Sequence, residues 1–304
     1  MKLKLEHKQI PKESTVIVGV SGGRDSMALI HALTTQRLDL NVIAAHVDHA
    51  LREDSGEVAD FVNGMMQRWH IQFAKTKLKP AGGNLEEWGR EKRYEYFNKL
   101  AKKNKAIYIL TAHHQDDDFE SMMLHFLRGT RVKGLSGMQV LRENIFRPLL
   151  FTSRTEIDEY IAFNEIPYRD DPSNNDENFT RNFLRHKIVP VLNHVYPGLA
   201  QRWQDQKSYW LDLQALLENQ AAVFMDEFLD KKEGLHRAAY AKLAFPVRAT
   251  VLELWYRRTT GSMVPDAQTI NRWDNAILTF ESRKKTEWHE KKFLVMKKER
   301  AGIV

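Results

Sequence analysis

Residues Ser21 to Ser26 carry polar groups that could bind an anion and that an ordinary loop would not require. The segment Ser-Gly-Gly-Arg-Asp-Ser combines two hydroxyls and a carboxylate with two adjacent glycines, which let the backbone approach a ligand closely. It follows a short β-branched apolar run at 16–20 and precedes helical spacing of apolar residues from Asp25 onwards. A strand, a glycine turn and a helix N-terminus form an anion site, because free N–H groups and the positive end of the helix dipole point at one place.

The loop sequence excludes two common nucleotide-binding fingerprints. No Gly-Lys-Ser/Thr follows the glycines, so no lysine is placed on the β- and γ-phosphates as in a Walker A loop. The spacing is not Gly-x-Gly-x-x-Gly, so dinucleotide binding is unsupported. A plain βα turn accounts for the glycines but not for the hydroxyls and the carboxylate beside them.

Two further polar clusters follow predicted strands. His46-Val47-Asp48-His49 lies at the end of the strand predicted at 40–47, and residues 112–118 follow the strand predicted at 106–111. Ligands of parallel sheets bind at the carboxyl ends of the strands, so we expect the three clusters to build one site. Because residues 113–117 combine His with Asp, a metal site is one interpretation of that cluster, and capping of a helix start is the other.

Alternating strand and helix patterns predict an α/β fold with a parallel sheet and helices on both faces, as in Rossmann-like proteins. From Thr152 the pattern becomes mainly helical. A long helical stretch over 200–229 predicts a connector to a smaller C-terminal α+β domain, which ends in a hairpin of strands at 286–296. We therefore predict a catalytic domain at 1–205 and a small domain at 206–304.

Composition narrows the class of protein. The 304 residues contain no cysteine, which excludes disulfides, thiolate metal sites, iron–sulfur clusters and cysteine nucleophiles within this sequence. No apolar run has the length of a signal peptide or a membrane span, so we expect a cytoplasmic protein without a membrane partner. The last 22 residues hold 8 Lys or Arg against 3 Asp or Glu. Such a basic end suits a nucleic-acid backbone, and a solvated surface hairpin is the alternative.

The motifs together resemble a known family. The loop at 21–26 is similar to the PP-loop, Ser-Gly-Gly-x-Asp-Ser, of the ATP pyrophosphatase superfamily. Further motifs follow in order over roughly residues 15–192, and as a set they resemble the tRNA(Ile)-lysidine synthetase family. These motifs are His46-Val47-Asp48-His49-Ala50-Leu51-Arg52, Arg90-Glu91-Lys92-Arg93-Tyr94, Thr111-Ala112-His113-His114-x-Asp116-Asp117-x-x-Glu120, Arg128-Gly129, Gly134-Leu135, Arg147-Pro148-Leu149-Leu150, Asp171-x-Ser173-Asn174 and Arg181-Asn182-x-x-Arg185.

The resemblance implies a reaction. Members of that family use ATP and L-lysine to modify the wobble cytidine of an isoleucine tRNA with a CAU anticodon. The C2 oxygen of the cytosine is adenylated with release of pyrophosphate, and the lysine ε-amine then attacks C2 as AMP leaves. The resemblance thus implies ATP and Mg²⁺ as cofactors, tRNA(Ile) and L-lysine as partners, and one small tRNA-binding C-terminal domain. It leaves a homodimer open.

The resemblance also implies roles for single residues. The expected ATP-binding residues are Ser21, Gly22, Gly23, Arg24, Asp25, Ser26, His46 and His113, with Mg²⁺ on Asp25. The expected lysine-binding residues are Asp117, Glu120 and Arg185, since carboxylates hold amines and guanidinium groups hold carboxylates or phosphates through charge-assisted bonds. The expected catalytic residues are Asp25, Asp117, Arg93 and Arg185. Ordinary surface salt bridges are the alternative for these arginines.

The sequence departs from the family motif at one place, and three alternative functions have to be considered. The chain has Asp118-Phe119 where the family usually has Gln-Ala, which adds a negative charge beside Asp117. A tRNA thiolase would pass sulfur through cysteines, which the sequence lacks, and an amidotransferase would need a second catalytic domain. A non-catalytic tRNA-binding protein is disfavoured by the intact Asp25, Asp117 and Glu120.

Overall fold

The structure is a computed structural model that describes residues 1–49, 55–78, 85–169, 180–230, 234–261, 265–279, 284–289 and 292–304. The chain divides into two compact units. The first unit comprises Met1–Ser121 and Met138–Gln204, and the second comprises Met122–Gly137 and Asp205–Val304. These units differ from the predicted domains chiefly in the segment Met122–Gly137, which the prediction placed in the first domain.

Six strands of the first unit form one sheet in the spatial order β3-β2-β1-β4-β6-β5. The strands are β1 Thr15–Gly19, β2 Asn41–Asp48, β3 Gln72–Lys77, β4 Tyr108–Leu110, β5 Leu141–Arg142 and β6 Ile145–Phe146. β1 pairs in parallel with β2 and β4, β3 with β2, and β6 with β4, whereas β5 is antiparallel to β6. The predicted α/β fold is confirmed, with a short antiparallel strand at one edge of the sheet.

Helices cover both faces of this sheet. The helices in chain order are α1 Arg24–Gln36, α2 Ser55–Arg68, α3 Leu85–Asn104, α4 Gln115–Leu127, α5 Val132–Leu135, α6 Arg154–Phe163, α7 Thr180–Phe183, α8 Val189–Val195, α9 Leu199–Phe228, α10 Arg237–Ala241, α11 Phe245–Thr260 and α12 Ala267–Thr279. Successive side chains of β1 point to opposite faces. Val16 and Val18 therefore pack with α1, α2 and α6, whereas Ile17 packs with Phe97 and Ala101 of α3.

The helical segment from Thr180 to Val195 is irregular at its centre. A π-helical turn, Leu184–Ile188, joins α7 to α8. Pro190 lies in the first turn of α8 and has no N–H to donate to the π-helical turn that precedes it. π-Helical turns place one extra residue in a helix and are frequent at functional sites. Here the turn carries Arg185.

The second unit contains an antiparallel sheet in the order β7-β8-β11-β10-β9. Its strands are β7 Leu229–Asp230, β8 Gly234–His236, β9 Lys285–His289, β10 Lys292–Met296 and β11 Arg300–Ile303. The predicted hairpin corresponds to β9 and β10, and the sequence did not indicate the other three strands. α9 is the predicted long helix, and the smaller α+β region is confirmed. Among the residues that the structure describes, no helix is long and apolar enough to cross a membrane.

Gly234 is a position of the second unit at which a side chain should be poorly tolerated. Its φ is +88°, and a Cβ there would collide with the carbonyl oxygen of Ala301 in β11. Gly234→Ala should therefore lower the free energy of unfolding by about 3 kcal/mol. Gly261 also has a positive φ, +69°, but faces open space. Gly261→Ala should cost only about 1 kcal/mol, the strain of the left-handed backbone alone. Urea unfolding compares the two variants, and equal losses would contradict the predicted collision.

Candidate active site

The loop at 21–23 joins β1 to α1 at the carboxyl edge of the sheet. The hydroxyls of Ser21 and Ser26 are 3.1 Å apart, the N–H of Ser21 donates to Ser26 Oγ at 3.2 Å, and Ser26 Oγ donates to the Gly23 carbonyl at 2.8 Å. Gly23 is the N-cap of α1, and no side chain caps this helix. The first turn of α1 therefore presents N–H groups to an anion at this edge.

The two glycines of the loop serve different purposes. Gly22 has a φ of +88°, and a Cβ there would press on Val58 and Val62 of α2 at 3.1 Å. Gly23 has a φ of −74°, which any residue adopts. A Cβ on Gly23 would find Ser21 Oγ at 3.3 Å as its nearest neighbour. The backbone conformation and the packing against α2 thus require glycine at position 22. At position 23 the backbone does not require glycine, and the missing side chain leaves space beside Ser21.

His114 connects the loop to α4. Its Nε2 lies 3.8 Å from Asp25 Oδ2 and 3.4 Å from Asp117 Oδ2, and its Nδ1 lies 3.6 Å from Asp116 Oδ2. The side chain is only 1% exposed. Burial alone would lower the pKa of the imidazole, but Asp117 together with Asp116 and Asp25 raises the pKa of His114 to about 9. His114 is therefore a buried cation at neutral pH, a role that the sequence analysis did not assign.

Asp117 and Glu120 form a network with two arginines. Arg185 donates to the two oxygens of Glu120 at 2.6 and 2.7 Å and to Asp117 Oδ1 at 2.8 Å. Arg181 donates to Glu120 Oε2 at 3.0 Å and to Asp117 Oδ1 at 3.1 Å. Burial opposes the charge on Asp117, but His114 and then Arg181 hold its pKa well below the usual range. The network thus brings together Asp117, Glu120 and Arg185, the three expected lysine-binding residues. It also includes Arg181, which the Arg-Asn-x-x-Arg motif in the sequence indicates.

Asp25 has the least satisfied carboxylate of the site. Its Oδ1 is buried and makes no hydrogen bond within the described residues. Burial raises the pKa of this carboxyl. Besides Arg24, which is shared between Asp25 at 3.7 Å and Asp158 at 2.7 Å, three cationic side chains face four carboxylates here, so an additional cation would be favoured. The carboxylates are Asp25, Asp116, Asp117 and Glu120, and the cations are His114, Arg181 and Arg185.

Two hydrogen bonds tie α6 to this cluster. Asp116 Oδ2 accepts the N–H of Arg154, the first residue of α6, at 2.9 Å. Arg24 of α1 donates to Asp158 of α6 at 2.7 Å. The helices that carry Asp25 and Asp116 are thus both connected to α6.

The two other histidines expected at the site, His46 and His113, are both in the neutral protonation state. His113 Nδ1 lies 2.9 Å from Thr111 Oγ1, and burial lowers the pKa of His113 to about 3. His46 Nδ1 lies 2.8 Å from the carbonyl oxygen of Val20, which can only accept. The Nδ1 atom of His46 therefore carries the proton, and burial lowers the pKa of this ring as well. Both rings are neutral at pH 7.

Arg93 lies on α3 and donates to His49 Nε2 at 3.1 Å. Within the described ranges it makes no ion pair with the acidic cluster, and its catalytic role stays a prediction. The motif residues 50–52 and 171–174 lie outside the described residues.

Asp118 is a structural residue of the first unit. It is 0% exposed, and one oxygen accepts the N–H of Met138 while the other accepts from Trp203 Nε1 at 3.3 Å and Gln204 Nε2 at 2.9 Å. Its charge is satisfied by these donors and not by the network around Asp117. The difference from the family pattern at Asp118 is therefore absorbed inside the fold, whereas Phe119 lines a cavity beside Glu120.

The raised pKa of His114 predicts a pH-dependent stability. Its folded pKa of about 9 exceeds the unfolded value of about 6.5. The stabilisation by the charged ring is thus complete below about pH 6.5 and is lost as the pH rises through about 9. Between about pH 6 and pH 10, the difference in unfolding free energy between wild type and His114→Gln should shrink by about 3 kcal/mol.

Urea unfolding at both pH values measures this difference. The exposed His194 offers a matched control, because His194→Gln removes a histidine from the surface of α8. A difference between wild type and His114→Gln that stays constant with pH would contradict the charged state of His114.

Comparisons with known proteins agree with this geometry. A model of the PP-loop domain family matches residues 1–192. The tRNA(Ile)-lysidine synthase of Geobacillus kaustophilus is 33% identical over 281 residues, which cover 87% of this chain and 61% of that protein. The enzyme of the same name from Thermotoga maritima is 38% identical over 190 residues, which cover 60% of this chain and 46% of that protein. The chain thus spans less than two thirds of the length of these relatives.

A solved structure with a similar fold is the U34-tRNA thiolase NcsA from Methanococcus maripaludis with its [4Fe-4S] cluster. It has a TM-score of 0.56 and 19% identity, over 69% of this chain and 75% of that chain. At this identity the similarity shows a common fold. The resemblance found in the sequence motifs is confirmed by the two relatives above. Because the family model spans the 21–26 loop, the acidic cluster and both arginines, the chain belongs to the PP-loop domain family.

Proposed function

We propose that the chain ligates L-lysine to C2 of the wobble cytidine of tRNA(Ile) with a CAU anticodon, giving lysidine. ATP adenylates the C2 oxygen with loss of pyrophosphate, and attack by the lysine ε-amine then expels AMP. The observation that carries the proposal is the contact of His114 with both Asp25 and Asp117, which joins an anion-binding loop to a cation-binding cluster. The names of the relatives support this tRNA as the substrate, and the site of action is then the cytoplasm.

The loop suits the triphosphate of ATP. The uncapped N-terminus of α1 and the hydroxyls of Ser21 and Ser26 offer donors to phosphate oxygens. Gly23 leaves the approach open. The neutral His46 and His113 add polar rings at the same edge without adding positive charge.

Mg²⁺ fits Oδ1 of Asp25, which makes no hydrogen bond within the described residues and lies 3.7 Å from Arg24 Nε. Within the part of the chain that the structure describes, no three His, Asp or Glu side chains could hold a metal by themselves. Mg²⁺ at this position would take most of its ligands from water and phosphate, as it commonly does. When bound, the ion neutralises phosphate charge and polarises the bond that breaks. Asp25 holds and orients it from the first turn of α1.

The cluster on α4 suits a diamine. Its excess of carboxylates favours the ammonium groups of lysine. A cavity of about 260 Å³ opens beside it, with acidic and basic groups together in its wall. The cavity is lined by Asp116, Phe119, Glu120, Arg154, Arg185, His186, Val189, Asn193 and Ala200. Both carboxylate oxygens of Glu120 accept hydrogen bonds from Arg181 and Arg185. We therefore propose that Glu120 contributes to lysine binding by orienting Arg185.

Attack at C2 requires the ε-amine to lose its proton. His113 does not serve as that base, because burial lowers its pKa to about 3, far below that of an ammonium group, about 10. A thiolase reaction is disfavoured, because no cysteine exists in the 304 residues to carry sulfur or to hold a cluster like that of NcsA.

The second unit offers a surface for the tRNA backbone. Exposed lysines lie along β9, β10 and the turn to β11. These lysines are Lys284, Lys285, Lys292, Lys297 and Lys298. Phosphate contacts by lysine add affinity without base specificity. Reading of the CAU anticodon is then left to other contacts.

The proposed reaction is tested with a tRNA(Ile) transcript, ATP, Mg²⁺ and radiolabelled L-lysine. We expect transfer of lysine to tRNA with equal release of AMP and pyrophosphate. Asp25→Asn should slow turnover by about 100-fold, because it removes the charge that orients the ion. Asp60→Asn, an exposed carboxylate of α2, is the matched control and should retain activity. Absence of lysine transfer by wild type would refute the proposal, and full activity of Asp25→Asn would refute the role of that residue.

The lysines of the second unit predict a salt effect. Replacing Lys292, Lys297 and Lys298 by Ala should reduce the slope of log affinity for tRNA against log salt by about 2 to 3, because fewer phosphates are neutralised. Filter binding across a salt series measures this slope. The control replaces Lys99, Lys102 and Lys103, which are exposed on α3 of the first unit. An equal slope in both triple variants would contradict the role of the second unit.

A further inference from the structure

Arg147 is a buried cation that the proposed function does not use. The residue follows β6 directly and is 6% exposed. Its Nη1 donates to the carbonyl oxygen of Gln139 at 2.7 Å, whereas its Nε is buried and makes no hydrogen bond within the described residues. A guanidinium that leaves water without a full set of partners is costly, so it favours a ligand that would complete them.

Arg147 lies at the edge of the sheet where the active site is built. β6 runs parallel to β4, and the N–H of Thr111 donates to the carbonyl of Phe146 at 3.0 Å. The chain segments that carry His113 and Arg147 therefore leave the sheet side by side. Burial is the main cause of the low pKa of His113, and the charge of Arg147 lowers it further. The charge of Arg147 is thus felt at His113, inside the site.

Arg147 differs from the two arginines of the acidic network. Arg181 and Arg185 are each neutralised by Asp117 and Glu120. Over the ranges that the structure describes, no carboxylate forms an ion pair with Arg147. Arg147 thus keeps its charge available for an anion.

The free edge of the guanidinium has the geometry for a carboxylate. Nε and Nη2 form one side of the planar group, and Nη1, which holds Gln139, is on the other. Two parallel N–H bonds from such an edge match the two oxygens of a carboxylate. The 21–23 loop lies on the far side of β4, because β4 separates β1 from β6 in the sheet. The ends of β1 and β6, which carry the loop and Arg147, are thus about two strand spacings, roughly 10 Å, apart.

We infer that Arg147 binds the α-carboxylate of the amino-acid substrate. The inference rests on the proposed function. L-Lysine carries two ammonium groups and one carboxylate, and the guanidinium groups of Arg181 and Arg185 are already paired with Asp117 and Glu120. Arg147 supplies the missing anion site and so selects an amino acid over a simple diamine.

The test separates the carboxylate from the amines of the substrate. KM for L-lysine is measured in the full ligation assay, together with Ki for cadaverine, which is lysine without its α-carboxylate. Arg147→Gln should raise KM for L-lysine by about tenfold or more, the effect of losing charge-assisted hydrogen bonds. It should leave Ki for cadaverine and KM for ATP and tRNA within about twofold of wild type.

Two further variants complete the test. Arg147→Lys keeps the charge without the paired N–H groups and should recover part of the affinity for L-lysine. Arg142→Gln removes an exposed arginine of the neighbouring β5 and should change none of the constants. Thermal melting confirms that each variant is folded before its constants are compared.

Each outcome decides the inference. An unchanged KM for L-lysine in folded Arg147→Gln would overturn it, and so would a parallel rise of Ki for cadaverine. A rise confined to KM for ATP or tRNA would assign the guanidinium to a phosphate and overturn it too. If wild type transfers no lysine, the proposed function fails and this inference fails with it.

Discussion

The contact of His114 with three carboxylates is the interaction on which the rest of the site depends. Asp25 comes from the turn after β1 and Asp117 from α4, and two carboxylates this close repel each other unless a cation lies between them. The sheet order supplies that cation, because β1 and β4 are neighbours and His114 follows β4. With this charge in place, α4 can bring Glu120 to the two arginines, and the π-helical turn can present Arg185 to both acids.

Much of the fold and part of the site could be predicted from local sequence pattern. The β1–loop–α1 unit is formed by consecutive residues, so its pattern is visible in the sequence. The rule that ligands bind at the carboxyl ends of strands predicted that the 21–26 loop lies near residues 113–117. The long helix near residues 200–229 also follows from its own periodicity. These features depend on neighbours in sequence, which is why the pattern reveals them.

Features that depend on distant partners were not predictable in this way. His113 and His114 are adjacent and chemically identical, yet one is neutral and one is charged. Asp25 of α1 and the nearby Asp116 and Asp117 surround His114, whereas burial dominates at His113. Asp118 looks like a third acid of the site but turns inward to Trp203 and Gln204. The short strands β7 and β8 carry too few residues for a period of two to be visible.

The two bonds that tie α6 to the cluster close a ring of contacts. The ring runs from Asp116 to the start of α6, along α6 to Asp158, across to Arg24 of α1, and back through Asp25 to His114. Because the contacts form a closed ring, breaking one of them weakens the others. The first turns of α1, α4 and α6 are therefore expected to unfold together as one cooperative unit. Their amide protons should then exchange with solvent at a common rate, and a ligand that steadies the Asp25 end would slow exchange at the far side of α6 as well.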